Sequence, residues 1–159
     1  MTIDLPVDAV WRFMIDRGNV PKWTGKEIQY ASQGPLEVGS AFRVRGKFLG
    51  RQVAYEARIA ELEPNKRFTV EWTTASVRGS KDSFLMESVD GGKTRLVQVG
   101  ELRLRGFLKI LAPLAARSNR RLMSENVARV KRLAEIYNGQ RTGEGTRNAP
   151  RRNWEKEGS

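Results

Sequence analysis

The sequence predicts a single α+β domain in which a curved antiparallel sheet of about six to seven strands wraps around a long C-terminal helix. Three observations support this fold class. Apolar residues alternate with polar ones through much of residues 27–104, as they do in half-buried strands. Turn-forming residues separate these stretches, which favours consecutive antiparallel strands. After Gly106 the apolar spacing changes to three, four and seven, which is typical of an amphipathic helix.

Two short helices are predicted before the sheet. Residues 7–16 place Val7, Val10, Trp11 and Met14 on one helical face, and the preceding proline suits the beginning of a helix. Residues 19–23 are predicted to form a second turn, with an asparagine as its N-cap and a glycine soon after its end.

The sheet is predicted from alternating runs and the turns between them. Turns are expected at Gly34–Pro35, at Gly50, at Pro64–Asn65–Lys66 and at Asp90–Gly91–Gly92, where residues that tolerate positive φ cluster. The residues expected on one face of the strands include Phe42, Val44, Tyr55, Ala57, Phe68, Val70, Trp72, Phe84, Met86, Leu96 and Gln98. This alternation indicates a meander with one apolar face and one polar, largely charged face.

The C-terminal helix is predicted to contain about 30 residues, which is long enough to cross a small domain. Pro113 either kinks this helix or marks its true beginning, because an interior proline loses a backbone hydrogen bond. After Asn138–Gly139 the chain is rich in Gly, Arg, Asn, Thr and Glu. We therefore expect a domain over residues 1–139 and a disordered, basic and polar tail over residues 140–159.

Composition excludes several classes of chemistry. The 159-residue chain contains no histidine and no cysteine. Hydrolysis by a Ser–His or Cys–His pair is therefore impossible, as are His-ligated zinc and thiolate metal sites. We expect no cofactor and no metal, and catalysis is less expected than binding because general bases are most often histidines. No apolar run is long enough to span a membrane and no signal peptide is recognised, so a cytoplasmic location is expected.

The positive charge is concentrated in the predicted helix. The net charge is +11, and residues 105–137 carry eight basic and two acidic side chains. Such an asymmetry indicates either an anionic partner or a solvated face that keeps the protein soluble, and the second reading is favoured. The arginines that would make a weak contact with an anionic surface are Arg117, Arg120, Arg121, Arg129 and Arg132.

Four segments carry a resemblance to a known family. They are Pro6–Asp16 with Trp23 beyond it, Leu36–Arg43, Glu61–Phe68 and Gly91–Leu96. Together with the order of elements they resemble the SRPBCC superfamily, specifically its polyketide cyclase/dehydrase and lipid-transport group. The resemblance covers about residues 3–137 and implies a START-like helix-grip fold. Its motifs mark turns and core, so they specify the fold better than the function.

The resemblance also implies a full first strand, whereas Thr2–Leu5 is long enough only for a stub. Either the start of the chain was assigned too late, which is favoured, or one edge of the sheet is open to another chain.

The helix-grip fold implies a cavity between the sheet and the C-terminal helix. The inward sheet residues named above are its candidate lining, and Trp23, Leu111, Leu114, Ser118, Leu122 and Asn126 are the candidates from the helices. The apolar members are core residues unless packing leaves a void between them. Tyr55 and Gln98 indicate more, because a buried polar group needs a partner.

No catalytic residue is predicted, because Glu71, Glu87 and Glu101 are all expected to face solvent and no pair of inward carboxylates is recognised. The leading hypothesis is a carrier or sensor of a small hydrophobic molecule such as a lipid, quinone or polyketide-like metabolite. The alternative is a polyketide cyclase or dehydratase that works without histidine. A third hypothesis is a basic-helix module that binds RNA or an anionic membrane, with no specific nucleic acid predicted.

Overall fold

The computed structural model describes residues 1–48 and 51–147, with side chains described for all of these except residues 48, 107, 108, 111 and 141–147. The chain begins with β1 (Thr2–Ile3), α1 (Val7–Ile15) and α2 (Val20–Thr24). The sheet continues with β2 (Glu27–Tyr30), β3 (Ala41–Phe48), β4 (Arg51–Glu63), β5 (Arg67–Trp72), β6 (Lys81–Val89) and β7 (Lys93–Glu101). The chain then continues into α3 (Ala112–Arg147), and 3₁₀ turns occupy Ala75–Val77 and Gly106–Leu111.

The seven strands form one antiparallel, curved sheet in the order β1-β7-β6-β5-β4-β3-β2. The predicted fold class is therefore confirmed. Consecutive strands from β2 to β7 are neighbours, as expected for a meander joined by short turns. Strand β1 closes one edge by pairing Thr2 with Arg95 and Ile3 with Thr94. The segment from β1 to β2 carries α1 and α2 from one edge of the sheet to the other.

The turns follow the chemistry of their residues. The β6–β7 hairpin has Gly91 at φ 78° and Gly92 at φ 70°, in the left-handed region that glycine adopts without strain. At the β4–β5 turn the left-handed position is filled by Asn65, a residue that tolerates it better than most. Strand β4 also contains an irregularity between Ile59 and Glu61, where the pairing with β5 shifts register. Bulges of this kind bend a strand and increase its twist.

The core lies between the concave face of the sheet and the helices. Its fully buried members include Ile3, Val10, Met14, Trp23, Ile59, Leu96 and Val130. Helix α3, which packs against α1 and β7, contributes Val127, Val130 and Ala134 to this core. The rings of Phe13 in α1 and Tyr137 in α3 lie 5.6 Å apart. The C-terminal half of α3 is therefore packed against the first helix.

Two details of α3 differ from or refine the sequence expectation. Pro113 is the second residue of the helix, so it marks the beginning of α3 and does not kink it. The helix continues to Arg147, so residues 140–147 are helical where the sequence predicted a disordered tail. The glycines and threonines of this segment are weak helix formers, but the segment also contains arginine, glutamine and glutamate and extends a helix that is already nucleated, which costs less than starting one. Residues 148–159 lie outside the described residues, as does Gly50, where the sequence predicted a turn.

Candidate ligand cavity

A cavity of about 630 Å³ opens between one end of the sheet, helix α2 and the N-terminal half of α3. Its apolar and aromatic lining consists of Val44, Val53, Tyr55, Trp72, Val77, Leu102, Leu104, Ala115 and Leu122. Its polar lining includes Thr24, Lys26, Gln52, Ser80, Asp82, Ser118, Asn119 and Arg129, and charged residues such as Arg45, Lys47, Lys81, Glu101 and Glu125 also border it. Both the size and the mixed lining are typical of a small-molecule pocket.

An aromatic pair forms one wall of the cavity. Strand pairing places Tyr55 of β4 opposite Val44 of β3, and Ala57 of β4 opposite Trp72 of β5. Tyr55 and Trp72 therefore lie on neighbouring strands on the same face, with ring centroids 6.0 Å apart in an edge-to-face arrangement. Burial raises the pKa of the Tyr55 hydroxyl, so this group is a neutral phenol at neutral pH.

Lys26 is a half-buried cation on the cavity wall. It follows the left-handed Gly25 that ends α2, and its methylene chain lies over Gly46 of β3, about 3.9 Å from where a Cβ would stand there. The ammonium group lies 5.6 Å from the centroid of the Trp72 ring. Burial lowers the pKa of Lys26; the charge of Asp82 opposes this and the charge of Arg129 adds to it.

Asp82 places a carboxylate on the cavity wall, and it is not among the candidate residues named from the sequence. It lies two residues before the buried Phe84 on β6, so the same alternation that turns Phe84 inward also turns Asp82 inward. Its Oδ2 accepts a hydrogen bond of 2.9 Å from Trp72 Nε1. Extending the alternation by one step towards the strand's start would have found this residue.

Glu71, Glu87 and Glu101, which the sequence predicts to face solvent, each have an arginine partner. Glu71 pairs with Arg58 at 2.7 Å and Glu87 with Arg95 at 3.2 Å on the outer face of the sheet. The side chain of Glu101 is 58% exposed and lies 3.6 Å from Arg103, in agreement with the prediction that it faces solvent. Glu101 nevertheless also borders the cavity. Asp82 is thus the carboxylate that reaches deepest among the described residues of the cavity.

Arg129 differs from the sequence expectation. The sequence predicts that it lies on the surface with the other arginines of α3, but it is half-buried and lines the cavity, because its position on α3 faces the end of α2. Its guanidinium packs on Gly25, where a Cβ would collide with it. Nη2 donates to Asn126 Oδ1 at 3.1 Å, and Nε is buried without an acceptor among the described residues. Arg117, Arg120, Arg121 and Arg132 are exposed, as expected.

The structure brings five of the predicted ligand residues together in the cavity, namely Val44, Tyr55, Trp72, Ser118 and Leu122. The buried packing core instead contains Trp23, Phe42, Ala57, Phe68, Val70, Phe84, Met86 and Leu96. Trp23, for example, is 2% exposed, donates from Nε1 to Met14 O at 3.3 Å and packs on Phe84. Alternation identifies the inward face of a strand but not which end of that face the helices leave uncovered.

The remaining predicted residues lie elsewhere. Leu114 is 54% exposed, so it does not line the cavity. Asn126 is buried and holds Arg129. Gln98 is half-buried, with an Oε1 that has no partner among the described residues, and it is not part of the cavity lining. The side chain of Leu111 lies outside the described residues.

Two further features bear on the chemistry available in the described ranges. Among the residues whose side chains are described, no group of three or more acidic side chains is arranged to hold a metal ion. Within the same ranges, no helix is both long and apolar enough to cross a membrane.

The seven-stranded sheet that grips a long C-terminal helix and leaves a cavity beneath it defines the helix-grip class of α+β proteins. The profile of the family described as polyketide cyclase / dehydrase and lipid transport matches residues 1–135. The chain belongs to this family. A comparison with curated protein sequences finds no match.

Solved structures show the same fold. TTHA0849 from Thermus thermophilus is 15% identical, with a TM-score of 0.71 over 86% of this chain and 94% of its own. The ZhuI aromatase/cyclase from Streptomyces sp. R1128 is 16% identical, with a TM-score of 0.71 over 85% and 90% of the two chains. MLL2253 from Mesorhizobium loti is 16% identical, with a TM-score of 0.61 over 86% and 95%. At these identities the likeness concerns the fold alone.

Proposed function

We propose that this protein binds a small, predominantly apolar molecule in the cavity between its sheet and α3, as a carrier or sensor. The observation that carries the proposal is the 630 Å³ cavity itself, with Tyr55, Trp72, Val53 and Leu122 among its walls. Fully packed cores leave few voids larger than a water molecule, so a space of this size next to a dense core is consistent with a binding site. Membership of a lipid-transport family supports the same proposal.

The proposal is tested by titrating the protein with N-phenyl-1-naphthylamine, a neutral dye whose fluorescence increases in apolar surroundings. Wild-type protein is expected to bind it, and Leu122→Trp is expected to weaken binding at least tenfold because the larger ring occupies the cavity. Leu114→Trp is the matched control, since Leu114 is on the same helix but outside the cavity. Equal dye binding by the two variants, or none by the wild type, would rule the proposal out.

A cyclase or dehydratase activity is the second candidate function, and it is favoured by Asp82. An enzyme without histidine needs another proton acceptor in contact with its substrate, and the Asp82 carboxylate lies inside the cavity beside the Tyr55–Trp72 wall. Incubation with a linear poly-β-ketone thioester, followed by mass spectrometry, tests this function. Cyclised or dehydrated product that disappears in Asp82→Asn, while dye binding persists, would support an enzyme. No product from the wild type would reject it.

A further inference from the structure

Lys26 and Arg129 are half-buried cations on the cavity wall, and neither has a carboxylate partner within ion-pairing distance among the described residues. Lys47 and Lys81 also border the cavity without a salt bridge there, but Lys47 is exposed and the charge of Lys81 acts on Glu61. Within the described part of the chain, the ammonium of Lys26 makes no salt bridge or hydrogen bond and only faces the Trp72 ring. The guanidinium of Arg129 likewise makes no salt bridge there, and of its donors Nη2 reaches Asn126 while Nε is buried without an acceptor. By contrast, many exposed cations of this protein form a salt bridge with a nearby glutamate or aspartate.

The charges around these two cations do not cancel. Asp82 is the carboxylate that acts on Lys26, but it lies beyond 4 Å and its Oδ2 accepts from the Trp72 indole. Glu27, Glu101 and Glu125 border the cavity but are at least 47% exposed, and each pairs with an arginine of its own. Among the described residues of the cavity lining, Asp82 is therefore the one half-buried carboxylate beside these two cations. An uncompensated charge near apolar walls is costly, and a bound anion would reduce that cost.

From this arrangement we propose that the cavity contains an anion subsite formed by Lys26 and Arg129, and that its ligand is an amphipathic organic acid. The carboxylate of the ligand lies between the two cations, and its apolar chain extends along Trp72, Tyr55 and Leu122. The inference rests on the proposed function, because it names the chemical class of the molecule that the cavity binds. Arg129 supplies donors in a fixed fork and Lys26 a mobile point charge, so the pair matches a carboxylate.

A competition experiment with two probes of equal chain length tests the subsite. Octanoate and 1-octanol have the same number of carbons but differ in the head group, and each is used to displace N-phenyl-1-naphthylamine. In wild-type protein octanoate is expected to compete more strongly than 1-octanol. In Lys26→Met and in Arg129→Met its inhibition constant is expected to rise about tenfold or more, as found when a hydrogen bond to a charged group is lost.

The controls distinguish a loss of anion recognition at the subsite from a loss of binding to the cavity as a whole. The affinities of the neutral dye and of 1-octanol are measured in Lys26→Met as well, and octanoate is expected to lose its advantage over 1-octanol there, because the change removes the charge that distinguishes the two head groups. Lys66→Met removes the same charge from the exposed β4–β5 turn and is expected to leave octanoate binding unchanged. If Arg129→Met fails to fold, Lys26→Met still decides the question.

The outcomes of this experiment are distinct. Equal competition by octanoate and 1-octanol, unaffected by Lys26→Met, would overturn the anion subsite while leaving the cavity intact. A loss of octanoate binding in Lys66→Met as large as in Lys26→Met would overturn it too, because the effect would then come from net charge. Absence of dye binding in the wild type would instead reject the proposed function itself.

Discussion

The ammonium group of Lys26 has opposite effects on ligand binding and on the stability of the protein without ligand. The same half-buried ammonium that we assign to ligand binding is unfavourable in the empty cavity, because burial disfavours its charged form. Lys26→Met is therefore expected to raise the free energy of unfolding at neutral pH by about 1 kcal/mol, the low end of the gain seen when buried ionic groups are replaced by apolar ones. Urea denaturation of the two proteins without ligand measures this difference.

The pH dependence of that difference has a defined sign. The pKa of Lys26 is lower in the folded protein than its ordinary value of 10.5, so the penalty is complete below the folded pKa. Between the lowered pKa and 10.5 the folded protein binds fewer protons, and the stability of the wild type rises relative to Lys26→Met. The advantage of the variant is expected to disappear by about pH 10.5. A wild type that is more stable than the variant at pH 7 would contradict a desolvated ammonium.

The contribution of Tyr30 to stability changes with alkaline pH in the opposite direction to that of Lys26. Its hydroxyl donates to Arg17 O at 3.4 Å, and burial is the main cause that raises its pKa to about 12. The unfolded chain loses this proton near pH 10, so stability present below pH 10 is lost as the pH rises towards 12. Because the ring is partly exposed and solvent screens it, the loss is on the order of 1 kcal/mol. Urea titrations at pH 9 and pH 11.5 should show a smaller decrease for Tyr30→Phe, and equal decreases would contradict this assignment.

At the scale of elements, the sequence predicted what local patterns determine. Alternation around Phe42, Phe68 and Phe84 located the strands, and the Asp90–Gly91–Gly92 cluster located a hairpin that the structure contains. How deeply each inward-facing side chain is buried was not predictable from the sequence, because it depends on where the helices lie on the sheet. Phe84 and Asp82 share a face of β6, yet one packs on Trp23 and the other borders the cavity. Lys26 and Arg129 come together only through the packing of α2 against α3, which no local pattern encodes.

The C-terminal part of α3 can be tested with Gly139→Ala, because the sign of its effect on stability differs between a helix that continues past Gly139 and one that ends there. The sequence indicated a helix end near Gly139, but the structure places Gly139 inside α3 with open space around its missing side chain. Gly139→Ala is therefore expected to increase helicity by circular dichroism and to stabilise the helix by up to about 1 kcal/mol. If Gly139 instead ended the helix in a left-handed conformation, alanine would destabilise it.

Gly25→Ala is the matched comparison, because Gly25 does have a left-handed φ of 65° and its missing side chain leaves room for the Arg129 guanidinium. This variant is expected to be destabilised by roughly 1 kcal/mol or more, as found when alanine replaces glycine at positive φ. The same substitution should thus have opposite effects at the two glycines. A gain in stability for Gly25→Ala would show that the turn after α2 is not held as described.

At the scale of the whole molecule, the positive charge of α3 is divided between the cavity wall and the exposed side of the helix. Of the arginines grouped together in α3 by sequence, Arg129 lies in the cavity, whereas Arg117, Arg120 and Arg132 are exposed. The exposed group lies on the solvent side of the helix and adds to a net charge of +11. A weak contact of these arginines with an anionic surface stays a prediction, but their mutual repulsion acts in the protein alone.

This repulsion predicts how stability depends on salt. Two like charges about 10 Å apart in water repel by a few tenths of a kcal/mol, and the screening length falls from about 30 Å at 0.01 M to about 3 Å at 1 M salt. The net charge of +11 is large enough for repulsion to outweigh the exposed ion pairs, which contribute little individually. The free energy of unfolding at pH 7 is therefore expected to rise with sodium chloride. The triple change Arg117→Gln, Arg120→Gln and Arg132→Gln should reduce this slope, and near the isoelectric point of about 10.5, where the net repulsion is lost, the slope should no longer be positive. Urea denaturation at several salt concentrations provides the measurement. A stability that falls with salt at pH 7 would instead mean that the exposed ion pairs dominate the long-range repulsion.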